Sequence, residues 1–185
     1  MTHMLIRPIT VDDWHLYADQ IAILEEATYE VGRRDSLEFL KGWIEQDGGL
    51  GLIVTTEDHQ KILGYAFGGP LEHSQVDGPK QDKMRDKHNT FYSTNILLSS
   101  SLRGRRLGLK LKQAQIKHVR AFKNADGSSR YAFMTGRNRV GYTPEIRRIN
   151  RALGAYTIQI YGGQYGELNG QTLYYRIPLR RPYVY

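Results

Sequence analysis

The chain has 185 residues, of which 40% are hydrophobic and 24% are charged, and these values are typical of one globular domain with a hydrophobic core. It contains no cysteine, which excludes disulfides, thiolate metal sites and a cysteine nucleophile. No apolar run reaches the roughly 18 residues of a membrane span, and no secretory leader is visible, so we expect a cytoplasmic protein. The net charge of +7 favours an anionic partner, either a polyphosphate cofactor or nucleic acid.

The first part of the sequence predicts one strand, two helices and a hairpin. Pro8 suits a strand at the edge of a sheet, and Thr10 is a good N-cap for the first helix. Ser36 is the predicted N-cap of the second helix. Hydrophobic periodicity and turn residues predict a strand over 5–9, a helix from 10 to about 29, a helix from 36 to about 48, and strands over 50–56 and 61–67.

Residues 70–90 predict a long polar connection without periodicity. Its acidic and basic residues nearly balance, so it does not indicate the charge of a ligand. A connection of this length inside a compact domain is often functional or mobile.

The second part of the sequence predicts a parallel crossover. Thr143-Pro144 is a strong helix start, and Gly154 ends that helix. The predicted elements are a strand over 91–98, a helix over 102–122, a strand over 130–135, a helix over 145–153, and strands over 156–161 and 171–179. The order β-α-α-β-β-β-α-β-α-β-β predicts an α/β fold with a mixed central sheet in a single domain, residues 1–185.

The turn between the strand over 91–98 and the following helix predicts a phosphate site. The first turn of a helix has unpaired N–H groups and the positive end of the dipole. Gly104 and Gly108 allow close approach of an anion, and Arg103, Arg105 and Arg106 supply forked donors. The alternative is a basic loop that simply caps an ordinary strand–helix unit.

Two motifs carry a resemblance to a known family. Arg103-Gly-Arg-Arg-Leu-Gly108 resembles the acyl-CoA-binding motif Gln/Arg-x-x-Gly-x-Gly/Ala of the GCN5-related N-acetyltransferases (GNAT), with Arg106 in place of the first glycine. Ile149-Asn-Arg-Ala-Leu-Gly-Ala155 is similar to the Asn-x-x-Leu-Gly-Phe ending of that family's fourth helix. The predicted order of elements over residues 5–179 is also that of the family.

The resemblance implies an N-acetyltransferase that uses acetyl-CoA as acyl donor. A primary amine of a small molecule or peptide would attack the thioester directly in a ternary complex. The pantetheine would lie where strands 4 and 5 splay apart and pair with the backbone of strand 4, and the N–H of Leu98 would stabilise the oxyanion. The residues that the resemblance assigns to the cofactor are Ile96, Leu97, Leu98, Arg103, Gly104, Arg105, Arg106, Leu107, Gly108, Leu109 and Asn138.

Catalytic residues are less evident. Many relatives carry a glutamate on strand 4, which is absent here, so Glu26 at the end of the first helix, beside Glu25, and His88 are the candidates to receive a proton through water. An exposed position is the ordinary reading for each of them. Asn150 stands where many relatives have a tyrosine that acts as the general acid. An asparagine can position a group but cannot donate a proton as an acid. The six histidines lack metal-ligand spacing, so we expect no metal.

Two other functions remain open from the sequence. The chain is either a catalytically silent sensor that binds acyl-CoA or a basic RNA-associated protein, since arginine and tyrosine alternate near the C-terminus. RNA binding explains neither the predicted phosphate turn nor the order of elements, so nucleic acid is the less favoured partner, and we expect no membrane partner. Residues 174–185 are predicted to cover the sheet edge, with a homodimer contact as the alternative.

Overall fold

The computed structural model describes residues 4–102, 106–141, 144–162 and 170–179. The helices and strands are β1 (Met4–Ile9), α1 (Trp14–Thr28), α2 (Leu37–Glu45), β2 (Leu50–Thr56), β3 (Ile62–Pro70), β4 (Thr90–Leu98), α3 (Leu107–Ala121), β5 (Phe133–Arg139), α4 (Pro144–Ala152), β6 (Tyr156–Tyr161) and β7 (Thr172–Pro178). This order confirms the predicted one.

The strands form a mixed sheet in the order β1-β2-β3-β4-β5-β7-β6. β4 and β5 run parallel, in a register from Thr90 opposite Phe133 to Ser93 opposite Gly136. The pairing ends there, although β4 runs on to Leu98 and β5 to Arg139. β5 pairs antiparallel with β7, and β7 with β6. The predicted α/β class with parallel strands 4 and 5 is therefore confirmed, and Pro8 lies on an edge strand as expected.

By its contacts, the chain divides into two compact units. The first comprises Met1–Gly69 and Asn95–Gln115, and the second comprises Pro70–Thr94 and Ile116–Tyr185. Both β4 and α3 contribute to each unit. The single domain over residues 1–185 stays a prediction.

In the first unit, α1 begins later than the sequence predicted. Trp14 is its first residue and Asp13 its N-cap, whereas residues 11–13 form a turn. The Asp13 N–H donates to Oγ1 of Thr10 at 3.2 Å, so Thr10 stabilises this turn, and its prediction as the cap was wrong. The prediction for Ser36 is confirmed, since its Oγ accepts from the Phe39 N–H at 3.1 Å at the start of α2.

The core of the first unit lies between the two helices and the strands of the hairpin. Trp14 and Phe67 meet edge to face, with ring centroids 6.0 Å apart. Such aromatic pairs add about 0.5–1.5 kcal/mol to the burial of their area. The core residues are Ile9, Trp14, Tyr17, Ile21, Leu40, Ile53, Ile62, Tyr65, Phe67 and Leu97.

In the second unit, β5 begins three residues later than predicted. Lys123 and Ser129 form an isolated bridge, and the Arg130 N–H donates to the Phe122 carbonyl at 3.1 Å, so these residues close a turn instead of entering the sheet. Tyr131 then packs edge to face against both Phe91 and Phe122.

Specific side chains hold the long connection over residues 70–90, which also belongs to the second unit. Arg85 donates to the carbonyls of Glu72 and Ser74, the latter at 2.7 Å. The guanidinium of Arg176 donates to Asp82 at 2.6 Å. Burial raises the pKa of Asp82, but the hydrogen bonds from Arg176 and Tyr174 outweigh it and hold that pKa below the usual range. The connection thus has fixed anchors despite its lack of periodicity.

Candidate active site

The start of α3 has the geometry that an anion site needs. Leu107, Gly108 and Leu109 form its first turn, whose N–H groups have no acceptor within a helix. The Lys110 N–H donates to the Arg106 carbonyl at 3.2 Å, so Arg106 immediately precedes the helix and its side chain is exposed. Arg103, Gly104 and Arg105, which were predicted to bind the same phosphate, lie outside the described residues.

The end of β4 belongs to the same unit as the start of α3. Leu97 is buried, and Ile96 and Leu98 are half-buried. The Ser99 N–H donates to the Leu63 carbonyl at 2.8 Å, which fixes the chain as it leaves β4. Gly64 is packed so closely that a Cβ there would lie 2.6 Å from the Leu97 carbonyl oxygen. The backbone of residues 96–98 therefore has a defined position in this unit.

A buried carboxylate is hydrogen-bonded to Asn95, the residue that precedes this backbone. Glu25, in the last turn of α1, is only 2% exposed. Its Oε1 accepts from the hydroxyl of Tyr65 on β3 and, at 3.2 Å, from Nδ2 of Asn95 on β4. Its Oε2 accepts from the Asp35 N–H at 2.8 Å, and Asn95 Nδ2 also donates to Asp35 Oδ2 at 2.8 Å. Four groups from separate parts of the first unit thus converge on one site.

The hydrogen bonds of this cluster leave the Glu25 carboxylate with acceptor capacity to spare. Burial and the hydrogen bond to Glu25 raise the pKa of Tyr65 above its usual range, so its hydroxyl remains a donor at neutral pH. Each carboxylate oxygen of Glu25 has two lone pairs, and the Oε2 atom uses one of them for the Asp35 N–H. Glu25 therefore keeps the capacity to accept a further hydrogen bond.

The sequence singled out the neighbour of this carboxylate. Glu26 is exposed, with 63% of its side chain accessible, and pairs with Arg34 at 3.7 Å. The signal for Glu25 was present, because Tyr17, Ile21 and Glu25 recur every four residues on the buried face of α1. Tyr65, Asn95 and Asp35 gave no such signal in the sequence.

His88 lies in the second unit and is exposed. Its Nδ1 is 2.8 Å from Oε1 of Glu72, and its backbone has a left-handed φ of 50°. His88 is thus part of the anchored 70–90 connection. Its predicted role as proton acceptor stays a prediction.

Asn138 and Asn150 line one small cavity in the second unit. Burial raises the pKa of the neighbouring Tyr175, and the Asn150 amide is close enough to oppose this in part. The two side chains nevertheless fall short of the geometry of a hydrogen bond, and both polar atoms of Asn150 are buried without a partner among the described residues. The structure therefore brings together Asn138, which was predicted to bind acyl-CoA, and Asn150, which was predicted to stand at a catalytic position.

Lys112, which the sequence did not single out, is fully buried in α3. Its Nζ donates to Oε1 of Gln115 at 3.1 Å, and Nε2 of Gln115 reaches the Phe67 carbonyl at 3.4 Å. Burial lowers the pKa of Lys112 to about 7. A lysine with this pKa changes its charge near neutral pH.

The part of the chain that the structure describes also bears on metal and membrane binding. There, no group of three or more histidine, aspartate and glutamate side chains is arranged to hold a metal ion. No helix in those ranges is long and apolar enough to cross a membrane.

Comparison with solved structures decides the fold. The NatC complex bound to Gag peptide and CoA contains a chain that aligns with a TM-score of 0.69 at 14% identity, covering 95% of this chain and 98% of that one. A ribosomal-protein-alanine N-acetyltransferase from Brucella melitensis aligns with a TM-score of 0.64 at 19% identity, covering 94% and 99%. A GNAT-family protein from Desulfovibrio desulfuricans aligns with a TM-score of 0.64 at 15% identity, covering 96% and 99%. The chain has the fold of the GCN5-related N-acetyltransferases.

These likenesses lie in structure and not in sequence. No family model and no curated protein matches the chain.

Arg106, which replaces the first glycine of the family motif, has a backbone conformation that glycine adopts more easily than other residues. Arg106 stands where the motif has its first glycine, and its φ is 57°. A left-handed backbone costs a residue with a Cβ about 1–2 kcal/mol, whereas glycine adopts it freely. The backbone here thus keeps the conformation suited to glycine, while the side chain adds a positive charge beside the first turn of α3.

Proposed function

We propose that the chain is an acyl-CoA-dependent N-acyltransferase that transfers an acetyl group from acetyl-CoA to a primary amine. The GNAT fold supports this function, and one structural neighbour is a complex with a peptide and CoA. The observation that carries the proposal is the buried Glu25, held by Asn95 on the strand that continues into residues 96–98. A proton acceptor and the proposed acyl-CoA backbone site thus occur in one compact unit.

Acetyl-CoA is assigned to two segments of the first unit. The pyrophosphate would bind the N–H groups of residues 107–109, where the helix dipole favours an anion. Arg106 would add a charge-assisted contact. The pantetheine would pair with the backbone of residues 96–98 in the manner of an added strand. Residues 103–105 and Asn138 stay predictions for the same ligand.

The reaction proposed is direct transfer. The ammonium form of the acceptor first loses a proton, which reaches Glu25 through water. The neutral amine then attacks the thioester carbonyl, and the Leu98 N–H stabilises the oxyanion. As the tetrahedral intermediate collapses, the C–N bond is kept, the C–S bond breaks and CoA leaves as the thiolate. The nitrogen gives up its second proton to solvent.

Glu25 is preferred to Glu26 and His88 as the acceptor of the proton. Its carboxylate is fixed by Tyr65, Asn95 and the Asp35 backbone, so its orientation is defined before the substrate binds. A fixed base needs no reorganisation during the reaction. Glu26 instead pairs with Arg34 at the surface.

The test of the function is turnover. The protein is incubated with acetyl-CoA and a panel of primary amines that includes peptide N-termini, polyamines and amino sugars, while CoA thiol and acetylated amine are both measured. We expect equal amounts of the two products and intersecting lines in a double-reciprocal plot, because both substrates bind before product leaves. Parallel lines, or an isolable acyl-enzyme, would contradict direct transfer.

A second candidate is a sensor of the same fold that binds acyl-CoA without turnover. Asn150 favours it, because this buried residue occupies the α4 position that the resemblance assigned to an acid. Calorimetry with CoA separates the two functions. Saturable CoA binding without turnover of any amine in the panel would support the sensor.

A further inference from the structure

A small cavity in the second unit combines buried amides with arginines. Its volume is about 40 Å³, and it lies where α4 meets β5, β6 and β7. Asn138 and Asn150 are 7% and 2% exposed and lie at its inner end, whereas Arg151 and Tyr156 are exposed and lie at its outer end. The lining residues are Asn138, Arg147, Asn150, Arg151, Ala155, Tyr156, Thr157, Leu173 and Tyr175.

The amides at the inner end lack partners among the described residues. These atoms are Nδ2 of Asn138 and both Nδ2 and Oδ1 of Asn150. A buried polar atom without a hydrogen bond costs roughly 1–3 kcal/mol, and native proteins contain few of them. Three such atoms on two residues of one cavity therefore indicate that a polar group occupies it.

The charge of the lining selects the kind of group. Arg147 and Arg151 are four residues apart on α4, so they lie on one face of the helix. No aspartate or glutamate is among the lining residues. Guanidinium groups and amide N–H groups both donate, and together they suit an anion with planar oxygen acceptors.

The size of the cavity narrows the choice further. A cavity needs about 10–15 Å³ of such space for each water-sized group, so this one suits a flat group of three non-hydrogen atoms better than a tetrahedral phosphate of five. We propose that the cavity binds a carboxylate group, which accepts from Asn138 and Asn150 at its inner end and from Arg147 and Arg151 at its outer end. The site goes beyond the transferase function, since it needs neither Glu25 nor the backbone of residues 96–98 and 106–109. It does use Asn138, which the resemblance assigned to acyl-CoA, and Asn150, which it placed at the position of a catalytic acid.

Asn150 can serve such a ligand in one orientation of its amide. When a carboxylate binds with Nδ2 turned towards it, we expect Oδ1 to accept from the Tyr175 hydroxyl, a hydrogen bond that the structure does not contain. Burial raises the pKa of Tyr175, so the hydroxyl keeps its proton at neutral pH. In that arrangement the tyrosine favours the orientation of the amide that presents a donor to the carboxylate.

The first experiment uses the unmodified protein. Acetate and its neutral analogue acetamide are titrated at constant ionic strength, and the side-chain amide resonances of Asn138 and Asn150 are followed by NMR. We expect saturable shifts with acetate, with a dissociation constant on the order of 1–10 mM, and at least about tenfold weaker binding of acetamide. Unchanged amide resonances, or equal binding of the two ligands, would overturn the proposal.

The second experiment uses matched variants on one helix. Arg151→Gln should weaken acetate binding about tenfold, as expected for loss of one charge-assisted hydrogen bond. Arg148→Gln is the control, because Arg148 is exposed, pairs with Glu145 at 3.7 Å and does not line the cavity. An equal loss in both variants would show a general effect of charge and would contradict a built site.

The source of the carboxylate is tested with peptides. N-acetyl-dialanine and its C-terminal amide differ only in the terminal group. Binding of the acid but not the amide indicates that a peptide end fits, whereas binding of acetate alone assigns the site to small organic acids. Either result supports the carboxylate site. If neither acetate nor the peptide acid binds, the proposal is wrong.

Discussion

Asn95 Nδ2 donates to both Glu25 Oε1, at 3.2 Å, and Asp35 Oδ2, at 2.8 Å. One amide nitrogen on β4 thus bridges two carboxylates from the end of α1 and the segment before α2. The arrangement ties the helical part of the first unit to the strand that carries the proposed acyl-CoA backbone site. Because two carboxylates lie close together, a cation near them is favoured electrostatically. This fits the ammonium form of an amine acceptor.

The first prediction separates Glu25 from its neighbour. Glu25→Gln should lower kcat by about 100-fold or more, since this is the lower range for loss of a general base, with little change in the KM for acetyl-CoA. Glu26→Gln is the control and should change kcat by less than about threefold, because exposed ion pairs contribute little. Steady-state kinetics on both variants, with folding checked by circular dichroism, measures the difference. A larger effect of the Glu26 variant would return the base to the residue predicted from the sequence.

The second prediction concerns the proposed pyrophosphate site. Gly108→Glu places bulk and negative charge in the first turn of α3, and should weaken CoA binding by at least about 2 kcal/mol because charge-assisted hydrogen bonds are lost. Gly42→Glu is the matched control, since Gly42 lies in α2 and a Cβ there would meet nothing within 4 Å. Titration calorimetry measures both affinities. If a folded Gly108→Glu variant binds CoA as the parent protein does, the phosphate lies elsewhere.

Much of the fold could be predicted from the sequence because local signals agreed with it. The hairpin of β2 and β3 has two largely apolar runs around a polar turn, and Ser36 has the residue type and spacing of a helix cap. The start of α1 was predicted too early because Thr10 also has that residue type. Only the structure shows that its hydroxyl accepts from Asp13 in a turn that precedes the helix.

The candidate site was predicted less well, for a physical reason. The proposed phosphate site is local, since the residues predicted for it belong to a turn and the following helix. The Glu25 cluster instead joins α1, β3 and β4, and its hydrogen bonds depend on how these elements pack. A helical period extended from Tyr17 and Ile21 would have favoured Glu25 over Glu26. No pattern within one segment could have indicated Tyr65 or Asn95 as its partners.

The third prediction separates backbone strain from charge at Arg106. Because its φ is 57°, replacing Arg106 by glycine relieves backbone strain in the folded protein. Glycine also gives the unfolded chain more conformational freedom, which offsets part of this gain. Arg106→Gly should therefore raise the free energy of unfolding by about 0.5–1 kcal/mol. Arg106→Ala removes the same charge but keeps the Cβ, so it should not stabilise the protein. Both variants should bind CoA about tenfold more weakly if the guanidinium contacts the phosphate. Urea denaturation and calorimetry measure the two effects independently, and equal stability of the two variants would contradict strain at this position.

The last prediction concerns the buried Lys112, whose pKa burial lowers to about 7 from an ordinary value of 10.5. Between these two pH values the unfolded chain binds the proton that the folded chain has lost, so this group makes stability rise with pH across that window. Below pH 7 the lysine is charged in both states and the full cost of burying the charge is present. Lys112→Met removes this dependence. The free energy of unfolding of the variant, taken relative to the parent protein, should therefore fall by about 3 kcal/mol between pH 6 and pH 9.5, because the roughly 2.5 pH units above pH 7 contribute about 1.4 kcal/mol each.

The hydrogen bond from Lys112 to Gln115 does not affect the pH dependence of this stability difference. Its loss leaves Oε1 of Gln115 without that donor and costs about 1 kcal/mol, largely independent of pH. Lys110→Met is the control, because Lys110 is exposed on the same helix and should give the same difference from the parent protein at both pH values. Urea denaturation of the three proteins at pH 6 and pH 9.5 tests the argument. A Lys112→Met difference that stays constant with pH would show that the lysine remains charged in the folded protein throughout, and that its burial is compensated by partners stronger than the Gln115 amide.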